Sequence, residues 1–294
     1  MQGIQINDKV RHPTMPDWGL GKVIEISPDR KARVFFLHVG EKLLGLKYVD
    51  LEKVEGAEAE NFILDSPTLN ERLVDKDFRS LPDALREFQK LFPDGFEDQL
   101  YWEEERTYKL EAHNLFNEIL SPENYSSLLD ASEYDEVVKR ALHVVNKTNL
   151  IFPNEKMALK DGLKDEKKKR QFSEKLYELL YGAGELRPRF EAFARHLEDI
   201  GAAKWTIVSY FLFIAFPDRY IFLKPTVCQH AAKLVKAELN YRPNLNWLTY
   251  KCLLEFAENL KTYLVDAGMA PRDMIDIQSF MWCIAPGKQE LLDR

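Results

Sequence analysis

Cysteine is scarce in this sequence, and no two cysteines lie close together. The three, Cys228, Cys252 and Cys283, are far apart in apolar surroundings, and the chain contains no C-x-x-C pair. Zinc modules and disulfide frameworks depend on closely spaced cysteines. We therefore expect buried free thiols, with neither a metal site nor a disulfide framework.

Long hydrophobic runs are also lacking. The longest apolar stretch, TIVSYFLFIAF, covers residues 206–216, which is well short of the roughly 20 residues that a membrane helix needs. The N-terminus has no charged segment followed by an apolar one, as a secretory signal would require. From these two observations we expect a soluble cytoplasmic protein that contacts no membrane.

The familiar catalytic motifs are absent too. The sequence has no G-x-x-x-x-G-K-[ST] phosphate loop, no H-E-x-x-H zinc motif and no G-x-S-x-G nucleophile turn. Asp165 and Lys167 match the end of a D/E-x-K nuclease motif, but the upstream Asp and the strand that such a metal site uses are not evident. The sequence thus identifies no catalytic residue, metal ligand or cofactor, and favours a protein that is not an enzyme.

Charge is present in quantity but is unevenly distributed. Residues 1–54 carry 9 basic and 7 acidic side chains, residues 55–136 carry 7 and 22, and residues 137–294 carry 25 and 19. The net charge of −7 therefore conceals a mildly basic C-terminal half. A nucleic-acid surface would produce this asymmetry. A domain that packs against its own acidic neighbour would produce it equally well.

The first 55 residues read as a small β-barrel. Short strands are predicted at 9–12, 22–26, 32–39, 42–46 and 48–54, because apolar and polar residues alternate there between Pro-rich and Gly-rich turns. The loop TMPDWGLG reverses the chain between the first two strands. Closure into a barrel removes the exposed edges of such a sheet. Trp18 is placed to cover one mouth of the barrel.

The same stretch resembles a known module. KVRHPTMPDWGLGKVIEI, ARVFF and GEKLLGLKYVDLEKV share V-x-H-P, G-x-G, V-x-F and G-E-K-x-L with the Tudor/SH3-like tail domain of UvrD/PcrA-type bacterial DNA repair helicases. The resemblance covers residues 7–54 and implies docking on a protein partner of the transcription or repair machinery. It points to Arg11, His12, Trp18 and Phe35 as partner-binding residues. Core filling by Trp18 and Phe35 is the alternative.

Helical periodicity dominates after a polar linker at residues 56–80. We expect an α+β chain in which a barrel at 1–55 precedes a large all-α domain at 81–294, with a sub-boundary near 182–186. Residues 206–216 are apolar all round and belong at the centre of that domain. Helices are predicted at 83–92, 102–120, 134–145, 155–163, 172–180, 189–200, 204–216, 226–239, 246–265 and 272–284.

A basic run lies between two of these helices. The predicted loop KDEKKKR holds Lys164, Lys167, Lys168, Lys169 and Arg170. These side chains either form a solvated loop or contact phosphates of DNA or RNA. Contacts of the second kind act through counterion release and have no sequence preference.

Residues 197–235 resemble the helix-hairpin-helix segment of base-excision DNA glycosylases. Ile200 and Gly201 stand at the hairpin turn, whose backbone N–H groups would face a phosphate, and Lys204 stands where some relatives carry a reactive lysine. Lys224 occupies the position of the catalytic Asp. Without that carboxylate, the resemblance implies DNA binding through Gly201 and Lys204 rather than base removal.

Polar residues in the late helices allow two interpretations. Asp276, Gln278 and Trp282 share a helix, and Arg187 and Arg189 precede another. They form either an internal ion-pair or hydrogen-bond network or a ligand cleft between helices. As a whole, the sequence favours a bacterial interaction protein linked to DNA transactions. The alternative is a nucleic-acid-processing enzyme whose site lies in the helical domain. Neither the identity of the partner nor the oligomeric state follows from the sequence.

Overall fold

The computed structural model describes residues 3–37, 39–61, 64–65, 81–235 and 237–285. The fold is α+β, as predicted: an N-terminal antiparallel sheet is followed by helices. The predicted linker and the C-terminal end of the predicted helical domain lie partly outside the described residues. The described residues divide into two compact units. The first holds the described residues up to 91 together with those at 229–238 and 284–285, and the second holds residues 92–228 and 239–283.

Five antiparallel strands make up the sheet. They are β1 (Lys9–Arg11), β2 (Gly21–Ile26), β3 (Lys31–Phe36), β4 (Gly40–Gly45) and β5 (Glu52–Val54). Their order is β4-β3-β2-β1-β5, so β4 and β5 are the edges. The register of β2 on β3 shifts between Val23 and Glu25, where a bulge bends the strand.

One face of the sheet covers a small core of Val10, Val23, Ala32, Val34, Phe36, Leu44 and Leu51, with Trp18 partly buried against it. Gly19 and Gly21, near the end of the first loop, are required for different reasons. Gly19 has a φ of 73°, which a side chain would disfavour. Gly21 faces the Phe36 ring, and a Cβ atom there would lie 2.6 Å from it. Glycine is thus needed at Gly21 to let β2 approach β3.

Eleven helices are present among the described residues. The second of them, α2, occupies residues 99–119 and consists of Gln99–Tyr101, a π-helical segment Trp102–Arg106, and Thr107–Ile119. The others are α1 (Leu81–Leu91), α3 (Pro122–Asp130), α4 (Tyr134–Asn146), α5 (Pro153–Gly162), α6 (Glu166–Tyr181), α7 (Leu186–Asp199), α8 (Trp205–Ala215), α9 (Pro225–Leu234), α10 (Trp247–Asp266) and α11 (Met274–Cys283).

Helix α8 lies at the centre of the second unit, as its apolar sequence predicts. Every residue from Trp205 to Ala215 is buried, and α8 contacts α2, α6 and α7. Its few polar groups are satisfied internally: the Ser209 hydroxyl donates to the Trp205 carbonyl, and the Tyr210 hydroxyl donates to the Val144 carbonyl. No helix among the described residues combines the length and the apolar character that crossing a membrane requires.

The π-helical segment alters which side chains of α2 are buried. In the helix expected at 102–120, the consecutive glutamates Glu103, Glu104 and Glu105 form a charged row that is expected to face solvent. Glu103 and Glu104 do so, but Glu105 is only 4% exposed and pairs with Lys109. The wider π turn brings both Glu105 and Arg106 to the inner face, which a regular α-helix with 100° between neighbours does not do.

Candidate functional site

The predicted partner-binding residues of the sheet are only partly accessible. Arg11 is exposed and pairs with Glu58 at 3.4 Å. His12 is 8% exposed, and its Nδ1 accepts a hydrogen bond from the Thr14 backbone N–H at 3.3 Å. Its ring lies 4.7 Å from the ring of Trp18, which in turn meets the edge of Phe36 at 5.2 Å. Trp18 therefore packs against the core while one part of its ring stays accessible.

Phe35 lies on the sheet face opposite to Val34 and Phe36, yet it is only 2% exposed. Phe35 is thus buried, but it lies outside the core cluster that contains Val34 and Phe36. Docking by Phe35 stays a prediction, and it would require the groups that cover this ring to move away. Docking by Arg11, His12 and Trp18 also stays a prediction.

The basic run lies on a helix and not in a loop. Asp165 caps α6 by accepting from the Lys168 backbone N–H at 3.1 Å, so the helix begins at Glu166. An N-cap aspartate followed by Glu, Lys and Arg, which are good helix formers, explains why the charged stretch folds in this way. The residues Lys167, Lys168, Lys169 and Arg170 are therefore held on the first turns of α6.

Three of the five basic side chains already have carboxylate partners. Lys164 pairs with Asp161 at 2.8 Å, Lys169 with Asp135 and Glu166, and Arg170 with Glu174 at 2.8 Å. The hydrogen bond with Asp135, followed by the one with Glu166, raises the pKa of Lys169. Among the described residues, Lys167 and Lys168 have no ion-pair partner. Their charges are the ones available to an external anion.

The predicted hairpin turn is the end of a helix. Gly201 has a φ of 74°, and its N–H donates to the Glu198 carbonyl at 3.0 Å. The Ala202 N–H donates to the Leu197 carbonyl at 2.7 Å, which completes a Schellman cap on α7. These two N–H groups are thus engaged within the chain. Lys204 is exposed at the N-cap of α8.

The two predicted nucleic-acid segments meet in the structure. Gly162, at the end of α5, lies directly against Ile200, at the end of α7. Lys168 is close enough to His196 of α7 for its charge to help lower the pKa of that imidazole, although burial is the larger cause. We call Lys164, Lys167, Lys168, Gly201 and Lys204 the basic surface. Its members come from the residue before the N-cap of α6, from the first turn of α6 and from the turn between α7 and α8.

Comparison with known proteins identifies one part of the chain. A family model described as "Protein of unknown function (DUF3553)" matches residues 7–54. The N-terminal sheet is a DUF3553 domain. The match leaves the helical unit unassigned. Searches of curated proteins and of solved structures found no match.

The DUF3553 domain has exposed apolar residues that the sequence did not single out. Leu43 on the edge strand β4 is 67% exposed, and Tyr48 in the following turn is 90% exposed. In the ladder with β3, the Leu46 N–H donates to the Arg30 carbonyl. Because antiparallel pairs alternate, the backbone groups of Leu43 point away from β3. The direction of these backbone N–H and C=O groups follows from the strand register, which the sequence alone does not provide.

A buried ion network lies beneath the π-helical segment. The Arg106 guanidinium donates to Asp273 at 2.9 and 2.8 Å and to Asp276 at 2.7 Å, while the Tyr101 hydroxyl also donates to Asp276. Burial opposes the charge of Arg106, but the hydrogen bond with Asp273 and the two carboxylate charges raise its pKa. Arg272 closes the network through Asp276.

This network decides between the two interpretations of Asp276. Asp276 belongs to an internal ion-pair network, since it is fully buried and contacts Arg106 and Arg272. Arg187 instead pairs with Glu191 on the surface, and Arg189 donates to the Leu179 carbonyl. Among the described residues, no group of three or more His, Cys, Asp or Glu side chains is arranged to hold a metal ion.

Proposed function

We propose that this chain is a non-enzymatic interaction protein with two binding parts that acts in a DNA transaction such as transcription, repair or defence. The helical unit contacts the phosphate backbone of a nucleic acid through the basic surface, and the DUF3553 domain docks on a protein. The observation that carries the first half is the contact between Gly162 and Ile200. It brings two segments with separate basic residues to one region of the same unit.

Lys167 and Lys168 are central to the nucleic-acid contact. Both lack an ion-pair partner among the described residues, so neither must break an existing pair to meet a phosphate. Each phosphate contact releases condensed counterions, which makes binding weaken as salt increases. Lys164, Lys169 and Arg170 are already paired with carboxylates and contribute less. Contacts of this kind position a protein on the backbone without reading the bases.

Fluorescence anisotropy with labelled single- and double-stranded DNA in a salt series tests this half. The whole chain is compared with a Lys167→Gln/Lys168→Gln variant. The plot of log affinity against log salt concentration has a negative slope. Removing two phosphate contacts should make this slope less steep by about 1.4 for single strands and about 1.8 for duplex DNA. The matched control, Lys139→Gln/Lys251→Gln, removes two exposed charges that pair with Glu136 and Glu255. If the slope is unchanged in the Lys167→Gln/Lys168→Gln variant, or if the parent chain does not bind DNA, the basic surface is not a nucleic-acid-binding site.

The second half concerns β4, which is an edge strand of the sheet among the described residues. Its outward backbone groups at Leu43 suit an extended segment of a partner, which would add a strand to the sheet. The exposed side chains of Leu43 and Tyr48 would give that segment an apolar contact. The resemblance to the helicase tail domain favours a partner from the transcription machinery.

Co-elution with bacterial RNA polymerase in size-exclusion chromatography tests the docking. A Leu43→Lys variant places a charge on the edge strand, which discourages strand addition. The expected result is co-elution of the parent chain and its loss in the variant. Asp29→Asn serves as control, since it removes a surface charge in the turn before β3. Equal co-elution of Leu43→Lys would rule out the β4 edge, and failure of the parent to co-elute would rule out this partner.

A further inference from the structure

Lys224 has an unusual environment in the helical unit. It directly precedes α9, and its Nζ lies 4.7 Å from the ring centroids of both Phe152 and Trp282. The two rings favour the charged ammonium through cation–π contacts. Burial acts in the opposite direction and lowers the pKa of Lys224, while the charge of Glu155 partly restores it.

The ammonium of Lys224 has no hydrogen-bond or ion-pair partner within the part of the chain that the structure describes. Lys156, the other half-buried lysine nearby, differs in this respect, since its amine donates to the Thr148 carbonyl at 2.7 Å. Lys224 is thus a cation that lies against two aromatic rings, and the Glu155 carboxylate favours its charge without pairing with it directly. Such an arrangement suits an anionic group supplied from outside.

Phe152 supplies an exposed ring on a fixed backbone. Its side chain is 51% exposed. Its N–H donates to Glu155 Oε2 at 3.2 Å, and the Thr206 hydroxyl donates to the same oxygen at 2.9 Å. These bonds fix the start of α5 against the start of α8. The backbone that carries the Phe152 ring is therefore fixed, and the ring itself lies beside Lys224.

We propose that Phe152 and Lys224 bind one unstacked nucleotide of a single strand, with the base on the Phe152 ring and the phosphate at the Lys224 ammonium. This inference rests on the proposed function. Aromatic rings that stack bases, combined with cations that follow the backbone, are the usual means of binding single strands. Helix α5 connects this pair with the basic surface, because it begins next to Phe152 and ends at Gly162. Its ten residues cover about 15 Å.

The site formed by Phe152 and Lys224 adds a contact with a base to the contacts with the phosphate backbone. It should therefore discriminate between single-stranded and duplex DNA. In a duplex the bases are stacked on each other and the ring of Phe152 has no base to receive. We expect the whole chain to prefer a single strand over a duplex of equal length. The preference should depend on Phe152, whereas the common phosphate contact should depend on Lys167 and Lys168.

The test uses the whole chain and a 12-nucleotide oligothymidylate with one central 2-aminopurine, whose fluorescence falls when it stacks on an aromatic ring. Phe152→Leu should abolish this quenching and weaken single-strand binding about tenfold, with duplex binding unchanged. Phe152→Tyr should retain both properties. Lys224→Met, which keeps the apolar stem, should weaken single-strand binding as well. Met157→Ala removes an exposed apolar side chain within α5 and is the matched control.

The outcomes separate this inference from the proposed function. If Phe152→Leu and Lys224→Met bind like the parent while Lys167→Gln/Lys168→Gln does not, the nucleotide site is wrong and the basic surface stands. If the parent binds no DNA, both are wrong. Because Phe152 is half exposed, the fold should tolerate its replacement, and an unchanged thermal midpoint verifies this. Loss of quenching in Phe152→Tyr would also contradict stacking.

Discussion

Gly162 and Ile200 are in direct contact, and this contact joins the end of α5 to the end of α7. A Cβ atom at Gly162 would overlap the Ile200 carbonyl oxygen and would lie 3.0 Å from the Ile200 Cβ. Both residues are buried. The close approach therefore depends on the missing side chain, and it sets the distance between the two segments of the basic surface.

Gly162→Ala should destabilise the helical unit. The added methyl group forces the two backbones apart, and overpacking of this kind costs about 1–3 kcal/mol. The free energy of unfolding, measured by urea titration with tryptophan fluorescence, should fall by that amount. Gly3→Ala is the control, because nothing lies within 4 Å of a Cβ atom at that position. Equal stability of the two variants would show that the contact is not tight.

Gly21→Ala should disturb the DUF3553 domain in the same manner. The new methyl group would stand 2.6 Å from the Phe36 ring and 3.0 Å from Val34. Phe36 is fully buried in the small core, so it has little room to turn. We expect a loss of about 1–3 kcal/mol in the stability of this domain. Two-dimensional amide spectra of the whole chain should show the changes concentrated in β2 and β3.

The strands and the central helix were predictable because local pattern and burial agree there. Alternation located all five strands, and their boundaries shifted by only a few residues. The run 206–216 is apolar on every side, which only a central helix can satisfy, and α8 occupies 205–215. In these segments each residue's environment follows from its own neighbours in sequence.

Two helical features could not be read from the sequence for different physical reasons. Helix α3 is rich in polar residues and has no clear apolar period. It begins because the Ser121 hydroxyl accepts from the Asn124 N–H and Pro122 occupies the first turn. The π-helical segment places Arg106 against Asp273, just before α11, and Asp276, within α11. These aspartates lie 167 and 170 residues further along the chain, so no local sequence pattern indicates the π turn.

Asp276→Asn should be among the most destabilising single changes in the helical unit. Asp276 is fully buried, and its loss as an anion leaves Arg106 with an incompletely balanced charge in the interior. Breaking a buried pair in this way costs about 3–5 kcal/mol. Glu97→Gln is the matched control, because Glu97 also pairs with Arg272 but is 70% exposed. It should cost less than about 1 kcal/mol. Similar urea midpoints for the two variants would contradict the assigned role of the network.

His196 should make the helical unit sensitive to mild acid. It is 5% exposed, and its Nε2 has no hydrogen-bond partner among the described groups. Burial lowers its pKa from the ordinary value of 6.5. Asp199 opposes this effect, while Lys175 and Lys168 add to it. The unfolded chain therefore takes up the proton at a higher pH than the folded chain. The contribution of the neutral His196 to the free energy of unfolding should be fully present above pH 6.5. It should decrease as the pH falls below that value.

Urea unfolding of the parent and of His196→Phe between pH 7 and pH 5 measures this dependence. The variant has no imidazole to protonate at this position, and the neighbouring Phe172 ring provides an apolar contact for the new ring. Its stability should change less over this interval than that of the parent. His143→Gln removes an exposed imidazole from α4 and should retain the parent's dependence. If His196→Phe retained it as well, the acid sensitivity would have to come from other groups, and His196 would not be the buried neutral imidazole that the structure indicates.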